Sequence, residues 1–418
     1  MSGINEITDP KSRMVSGPVN VIRLQGNVHG INKVIYLFLD YHMELNKQTQ
    51  CENIFSQDVQ KYFANNFYNL NKGSKTYDFF LEIFPTELAE TIDTQDIVPV
   101  DYKDMYIEEV VKLFKKLFRY DPKKNVVLIN KLIKKVRLHY IDIRDYYKNN
   151  IHDRVSGMLS IANEFMVNDS INPNRLRSII KLMKTMRTHL EDVVEVLDNP
   201  SPKAKRAKLI KRKNTDNLDL DALEYIAKKI KESYKYNDVK KIMNQLLNTS
   251  IRNFKITIDE INLTIELFDK YANQIETSKN ILTRDNNTSY LYVYGLSSYT
   301  IRKMIVDIMN RVESLFDEKL IEFFARFTDI FFLRRFLDKD YITNAITYTG
   351  ALHSNMYVYV LVNFFDFKIT HISYSKISDP AKLTKEIKHR SLAEIQELIL
   401  PEIFGQCSDM NHFPSEFL

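Results

Sequence analysis

Six apolar residues in succession, Val34-Ile-Tyr-Leu-Phe-Leu39, constrain the fold more than any other stretch of the chain. A half-exposed strand alternates apolar and polar side chains, so a short run with no polar face reads as a strand covered on both sides, central in its sheet. The chain must then supply one layer above that strand and another below it. The run stops at Asp40-Tyr41-His42, leaving two ionisable groups at its carboxyl end.

The flanking segments fit such a sheet. Val19-Asn-Val-Ile-Arg-Leu-Gln25 is β-rich, and the connector Gly26-Asn-Val-His-Gly30 has a glycine at each end, which predicts a hairpin. Tyr77-Asp-Phe-Phe-Leu-Glu-Ile-Phe84 reads as a third strand ending before Pro85, and Val136-Arg-Leu-His-Tyr-Ile-Asp-Ile-Arg144 as another. Helical spacing of apolar residues marks 56–69, 107–118 and 125–135. From 145 to about 341 the pattern is overwhelmingly helical, with 176–197, 218–247 and 256–282 carrying apolar residues three and four apart. Strand character returns at Ala345-Ile-Thr-Tyr-Thr349, followed by a helix from Gly350 through Phe364 and a strand at Phe367-Lys-Ile-Thr-His-Ile-Ser373. That strand, helix, strand unit predicts a parallel pair joined by a right-handed crossover.

A chain of 418 residues exceeds the usual single core, so an insertion or a second domain is expected. The expected fold class is α/β: a mostly parallel sheet with flanking helices built from both chain ends, plus a large all-helical insertion. The boundaries are an N-terminal tail over 1–18, the first half of the core over 19–145, the insertion over 146–341, the second half with its closing helices over 342–400, and an irregular tail over 401–418. Within the insertion, 199–215 is a loop broken by Pro200 and Pro202. Residues 203–213 hold seven Lys or Arg and no acid, so Lys205, Arg206, Lys211 and Arg212 are candidates to touch nucleic acid or an acidic protein surface. The more ordinary reading of the same run, and the favoured one, is a solvated loop in a lysine-rich chain.

Composition excludes several classes. A net charge of +5 is too small for a dedicated nucleic-acid-binding protein of this length. No long uncharged run suggests a membrane span, and the N-terminus lacks the apolar core of a signal peptide, so secretion by that route is not expected. Cys51 and Cys407 are too few for a disulfide framework, which fits a reducing compartment. There is no glycine-rich phosphate loop, Cys-x-x-Cys pair, Gly-x-Ser-x-Gly elbow or His-Glu-x-x-His. Asp-x-His after a strand also opens metallophosphoesterases, but their Gly-Asp and Gly-Asn-His segments are not placed. With only nine glycines, each one marks a backbone need.

Ligands of open parallel sheets bind outside the carboxyl ends of the strands. The first central strand delivers Asp40 and His42 there, the next Glu82, the third Asp142, Arg144 and Asp145, and the last Gly350 and His353. Each has a structural alternative: Asp40 as a turn former or helix cap, His353 as a capping histidine. Glu82 lies inside an apolar strand, where a lone carboxylate is costly, so a partner such as Arg144 or His42 is expected. His139, on the opposite face by alternation, reads as a satisfied core histidine.

The order Asp40-x-His42, Glu82 and Gly350-x-x-His353 resembles the erythromycin-esterase, ChaN haem-uptake and TraB/Tiki superfamily, whose pattern is Gly-Glu-x-His, a glutamate after the next strand, and a distant Gly-x-x-His. This resemblance implies an α/β core with helical insertions, and esterase, metal-dependent protease or haem-binding chemistry. Here Leu39 stands at the first glycine position and Asp40 at the glutamate. Longer phrases, among them NVIRLQGNVHGINKVIYLFLDYH and FFLRRFLDKDYITNAITYTGALHSNMYVYVL, resemble uncharacterised proteins of mimivirus-like giant DNA viruses. That implies a host-cytoplasmic setting, in the viral factory or the virion. The expected role is a structural or interaction protein, with viral proteins as partners, that keeps a degenerate site of this type. The alternative is a hydrolase with His42 as general base or metal ligand, His353 as its partner, Glu82 orienting or ligating, and Arg144 binding an anionic group. The candidate cofactor is a divalent metal on His42, Glu82 and His353.

Overall fold

The computed structural model of the chain describes residues 13–42, 51, 53, 55–83, 106–121, 126–128, 130–144, 151–200, 220–279, 282–283, 292–293, 296–403 and 405–414. Its strands are β1 (Met14–Ser16), β2 (Asn20–Val28), β3 (Ile31–Asp40), β4 (Gln57–Asp58), β5 (Tyr77–Leu81), β6 (Arg119–Asp121), β7 (Val126–Leu128), β8 (Val136–Tyr140), β9 (Leu282–Thr283), β10 (Tyr292–Val293), β11 (Asn344–Gly350), β12 (Lys368–Ile372) and β13 (Cys407–Asp409). Its α-helices are α1 (Val59–Leu70), α2 (Tyr106–Leu117), α3 (Ile151–Asn168), α4 (Pro173–Asp198), α5 (Leu220–Glu232), α6 (Asn237–Lys279), α7 (Ser298–Ser314), α8 (Ile321–Asp338), α9 (Ala351–Phe365), α10 (Pro380–Ile387) and α11 (Leu392–Ile399). One π-helical segment, Leu315–Leu320, joins α7 to α8.

The expected hairpin forms, with Asn20 opposite Leu39 and Val28 opposite Ile31. Its turn is made by His29 and Gly30, both at positive φ. The six-stranded sheet has the order β12-β2-β3-β11-β5-β8. Strand β3 is flanked on both sides, and its side chains alternate between two cores. Tyr36 and Phe38 pack under α1 and α2 with Phe63, Phe67, Phe79 and Phe114. Ile35, Leu37 and Leu39 face the other layer, in the apolar core shared with α3 to α9.

The sheet is mixed, which corrects the expectation of a mostly parallel one. β3, β11, β5 and β8 run parallel, but β2 is antiparallel to β3 and β12 is antiparallel to β2. The strand, helix, strand unit near the C-terminus is also not a neighbouring pair. β11 inserts between β3 and β5, while β12 goes to the far edge, because the β2–β3 hairpin already occupies the space between them. Residues 126–128 form a strand paired with β6, where a helix over 125–135 was expected. The strand expected to reach Arg144 stops at Tyr140, and the Asp142 carboxylate then accepts the Arg144 backbone N–H at 2.9 Å, a local turn that competes with the ladder. The C-terminal tail is not irregular throughout, since β13 pairs with β1, and Cys407 is bonded to Cys51. The two cysteines, too few for a disulfide framework and expected to fit a reducing compartment, are thus joined to each other.

The helical region packs along its own axis and then onto the sheet. The 43-residue α6 lies against α4 and α8, and α8 carries the region into the core, where Phe332 meets Phe80 of β5 and Tyr357 of α9 at ring-centroid distances of 4.9 and 4.4 Å. Among the described residues, no helix is long and apolar enough to cross a membrane. The expected 199–215 loop, with Lys205, Arg206, Lys211 and Arg212, lies almost wholly outside the described residues, as does Asp145.

Candidate active site at the carboxyl ends of the strands

Because β3, β11, β5 and β8 are parallel neighbours, their carboxyl ends lie side by side at one edge of the sheet. Asp40 closes β3 directly opposite Gly350, the last residue of β11. Glu82 follows β5, and Asp142 and Arg144 follow β8. His353 sits in the first turn of α9, one turn beyond Gly350.

These side chains converge on Glu82. Its Oε2 accepts the Gly350 N–H at 2.9 Å and faces His42 Nε2 at 3.2 Å. Its Oε1 accepts from Arg144 Nη2 at 2.7 Å and faces His353 Nε2 at 3.1 Å. Each histidine is backed by an aspartate: His42 Nδ1 lies 2.6 Å from Asp40 Oδ2, and His353 Nδ1 lies 2.6 Å from Asp329 Oδ1. Arg144 is gripped from below by Asp142 through two 2.9 Å bonds from Nε and Nη2, and Asp329 also accepts from Arg326 Nη1 at 3.2 Å. Carboxylates and cations therefore alternate along one chain from Asp40 to Arg326. Glu82, His353, Asp329, Asp40 and Asp142 are buried. The His42 and Arg144 side chains are the most exposed of the cluster, at 33% and 29% against 15% for Arg326 and 11% for Asp142, so these two form the mouth.

Local backbone prepares this arrangement. His42 adopts φ +54, a left-handed conformation uncommon for a side-chain-bearing residue, and Asp40 Oδ2 holds it there by accepting its backbone N–H at 2.9 Å as well as facing its ring. A Cβ at position 350 would lie 2.9 Å from His42 Nε2, so only glycine lets the ring approach Glu82. Leu39 is fully buried, and by alternation it faces the helical side with Leu37.

The charges set one another. Burial alone would lower the His42 pKa, but the Glu82 charge and the bonds to Asp40 and Glu82 raise it to about 10. Burial also acts against charge on His353, while Glu82 and Asp329 bring its pKa to about 9. Burial pushes the Glu82 carboxyl up, and His353, His42 and Arg144 together hold it well below the ordinary carboxylate range. At neutral pH both imidazoles are thus cations with both ring nitrogens donating.

A metal does not fit this set as it stands. Tight binding needs neutral imidazole nitrogens about 2 Å from one ion. The two Nε2 atoms instead face different oxygens of Glu82 directly, and among the described residues no group of three or more His, Cys, Asp or Glu side chains could hold a metal ion.

The sequence reading missed Asp329 and Arg326, which reach the site from α8. The available signal was a carboxylate within the apolar stretch Phe-Thr-Asp329-Ile-Phe-Phe, the same feature that singled out Glu82. His139 is satisfied as expected: its Nε2 lies 2.5 Å from Asp78 Oδ1, and its ring stacks on Phe80.

Residues 13–418 match a family described as a family of unknown function (DUF5847). An uncharacterised protein of Acanthamoeba polyphaga mimivirus is 66% identical over 100% of this chain and 100% of its own length. Two further uncharacterised proteins of the same virus are 36% and 33% identical, covering 96% and 99% of this chain and 98% and 100% of their own. No solved structure matches the chain.

Proposed function

The chain belongs to the family of unknown function DUF5847, with mimivirus proteins among its members, and from that starting point we propose that the strand-end cluster is an acid–base centre of the hydrolase type, acting on a substrate that carries an anionic group. The observation that carries this reading is the convergence of His42, His353 and Arg144 on the single buried carboxylate of Glu82, with His42 and Arg144 the most exposed of the cluster. Ion clusters this dense are costly to bury and concentrate at functional sites. Further support comes from the likeness of Asp40-x-His42, Glu82 and Gly350-x-x-His353 to the erythromycin-esterase, ChaN and TraB/Tiki pattern.

In the resting state the proton on His42 Nε2 points at Glu82. An anionic substrate group that engages Arg144 removes one of the charges holding Glu82 acidic. The Nε2 proton then passes to Glu82, and the neutral imidazole, oriented by Asp40, accepts a proton from the attacking water. The oxyanion that develops beside the Arg144 guanidinium collapses with cleavage of the bond to the leaving group, which takes the proton from His42 Nε2. Product release returns the Glu82 proton to His42, and His353, backed by Asp329, keeps Glu82 in place throughout.

One observation favours a second reading, a non-catalytic viral interaction protein: four donors already engage the two oxygens of Glu82, as in an ionic lock that only ties strand ends together. A panel of esters and peptides with neighbouring carboxylate or phosphate groups, assayed from pH 6 to 10, separates the two. The hydrolase reading expects turnover by the native protein that falls roughly 100-fold or more in His42→Ala, the range for loss of a general base. Native protein indistinguishable from a His42→Ala/His353→Ala double variant on every substrate gives the interaction reading the field.

A further inference from the structure

Apart from the Glu82 cluster, with which it shares no lining residue, a cavity of about 510 Å³ runs from Val136 to Tyr140 along β8, the last strand of the six-stranded sheet among the described residues. Five cationic side chains line it: Arg137, Lys229, Arg334, Arg335 and Lys339. No Asp or Glu stands among its described lining residues.

Arg137 is spent on the buried Asp78, with bonds of 2.8 and 2.5 Å. Arg334 donates to the Ser233 carbonyl at 3.2 Å, and Lys339 pairs with Asp338 at 3.0 Å. Arg335 and Lys229 have no carboxylate partner among the described residues, and Lys229 only lies over the Tyr225 ring, at 4.6 Å. Two uncompensated cations therefore face a concave site whose walls already carry three more. The positive field is felt locally: burial, together with the charges of Arg335 and Arg137, brings the His139 pKa down to about 4 even though Asp78 accepts from it.

The walls are not only charged. Phe331 and Tyr341 also line the cavity, and Tyr341 is 53% exposed with the Arg137 guanidinium 5.0 Å from its ring centre. An exposed tyrosine fixed in place by a guanidinium is a stacking surface for a flat ring. The volume lies within the range of small-molecule sites and is far too small for a folded partner.

We propose that this cavity binds a nucleotide, its phosphates on Arg335 and Lys229 and its base against Tyr341. Guanidinium and ammonium groups without carboxylate partners are the donors that phosphate oxygens take up most strongly. This site shares no residue with the Glu82 cluster, so each proposal stands or falls without the other.

The test is titration calorimetry of the full chain at low salt with three probes: ADP, inorganic pyrophosphate and a single-stranded RNA of about 20 nucleotides. The expected result is one ADP per chain, affinity that falls as salt rises, and weaker binding of pyrophosphate. Arg335→Ala/Lys229→Ala should weaken ADP roughly tenfold or more while leaving the melting temperature unchanged, since neither side chain holds a buried carboxylate. His42→Ala should bind ADP as the native chain does. Absence of ADP binding at millimolar concentration, ADP binding unchanged in the double variant, pyrophosphate binding as tight as ADP, or RNA binding that tightens with length would each overturn the proposal.

Discussion

Position 350 is where the smallest chemical change has the largest expected effect. Replacing Gly350 by alanine adds one methyl group 2.9 Å from His42 Nε2 and 3.6 Å from Glu82 Oε2. The ring must leave Glu82, and His42 then loses the partner whose charge contributes most to its raised pKa. Gly350→Ala should therefore bring the His42 pKa from about 10 back toward 6.5, read from the ring proton resonances as pH is varied. Overpacking of this kind costs about 1–3 kcal/mol in stability. An unshifted His42 titration in this variant would mean that the close approach is not what couples the two groups. Much of this was legible in the sequence. A scarce glycine after a strand, a glutamate stranded among apolar residues and two histidines beside strand ends each break a local expectation, and the structure brings them together. Asp329 breaks the same expectation but lies in a helix of the expected insertion, not at a strand end, so no local pattern ties it to the site.

Among the elements, α8 does the most to join the molecule. It supplies Asp329 to His353, packs Phe332 between Phe80 and Tyr357, and ends in Asp338, whose Oδ1 accepts the backbone N–H groups of Lys235 and Tyr236 at 2.7 and 3.0 Å. Phe332→Ala should cost about 3–5 kcal/mol in a urea denaturation experiment, the range for emptying a buried aromatic site. A loss below about 1 kcal/mol would show that α8 is not what ties the helical region to the sheet. The same helix explains a break that the sequence did not announce. Periodicity over 218–247 is continuous, and no proline or glycine interrupts it, yet α5 stops at Glu232 and α6 starts at Asn237. The competing acceptor that stabilises the break comes from about a hundred residues away, beyond the reach of local pattern. Long amphipathic helices were readable from their 3.6-residue period, whereas 126–128, a three-residue strand, was too short for period to decide between strand and helix.

At the scale of the whole molecule, the two histidines of the site and the buried groups elsewhere should give stability a definite pH profile. His42 and His353 have folded pKa values raised to about 10 and about 9 from 6.5, so their contribution is complete below pH 6.5 and is lost as pH rises through 9 and 10. Glu82 is depressed below 4.5, so its contribution is present above that value and lost as pH falls through its folded pKa. His139, lowered to about 4, is held neutral in the fold, and stability drops as pH falls from 6.5 toward 4 because the unfolded chain takes up the proton first. Lys33, lowered to about 8 by burial, opposes the histidines above that pH, since the unfolded chain keeps its proton up to about 10.5. Adding the signs places the maximum near pH 6.5, with the alkaline decline steepest between about 6.5 and 8 and shallower beyond, where Lys33 offsets one histidine. Urea midpoints measured at half-unit intervals from pH 5 to 9 read this profile directly. Glu82→Gln supplies the control: it removes the charge that raises both imidazoles, so the alkaline decline should flatten while the His139 limb below pH 6.5 survives. A native profile that is level from pH 6.5 to 8, or one that Glu82→Gln leaves unchanged, would show that the imidazoles are neutral in the resting site. In that case His42 is already a base before any anion engages Arg144, and the proton transfer to Glu82 has no place in the mechanism.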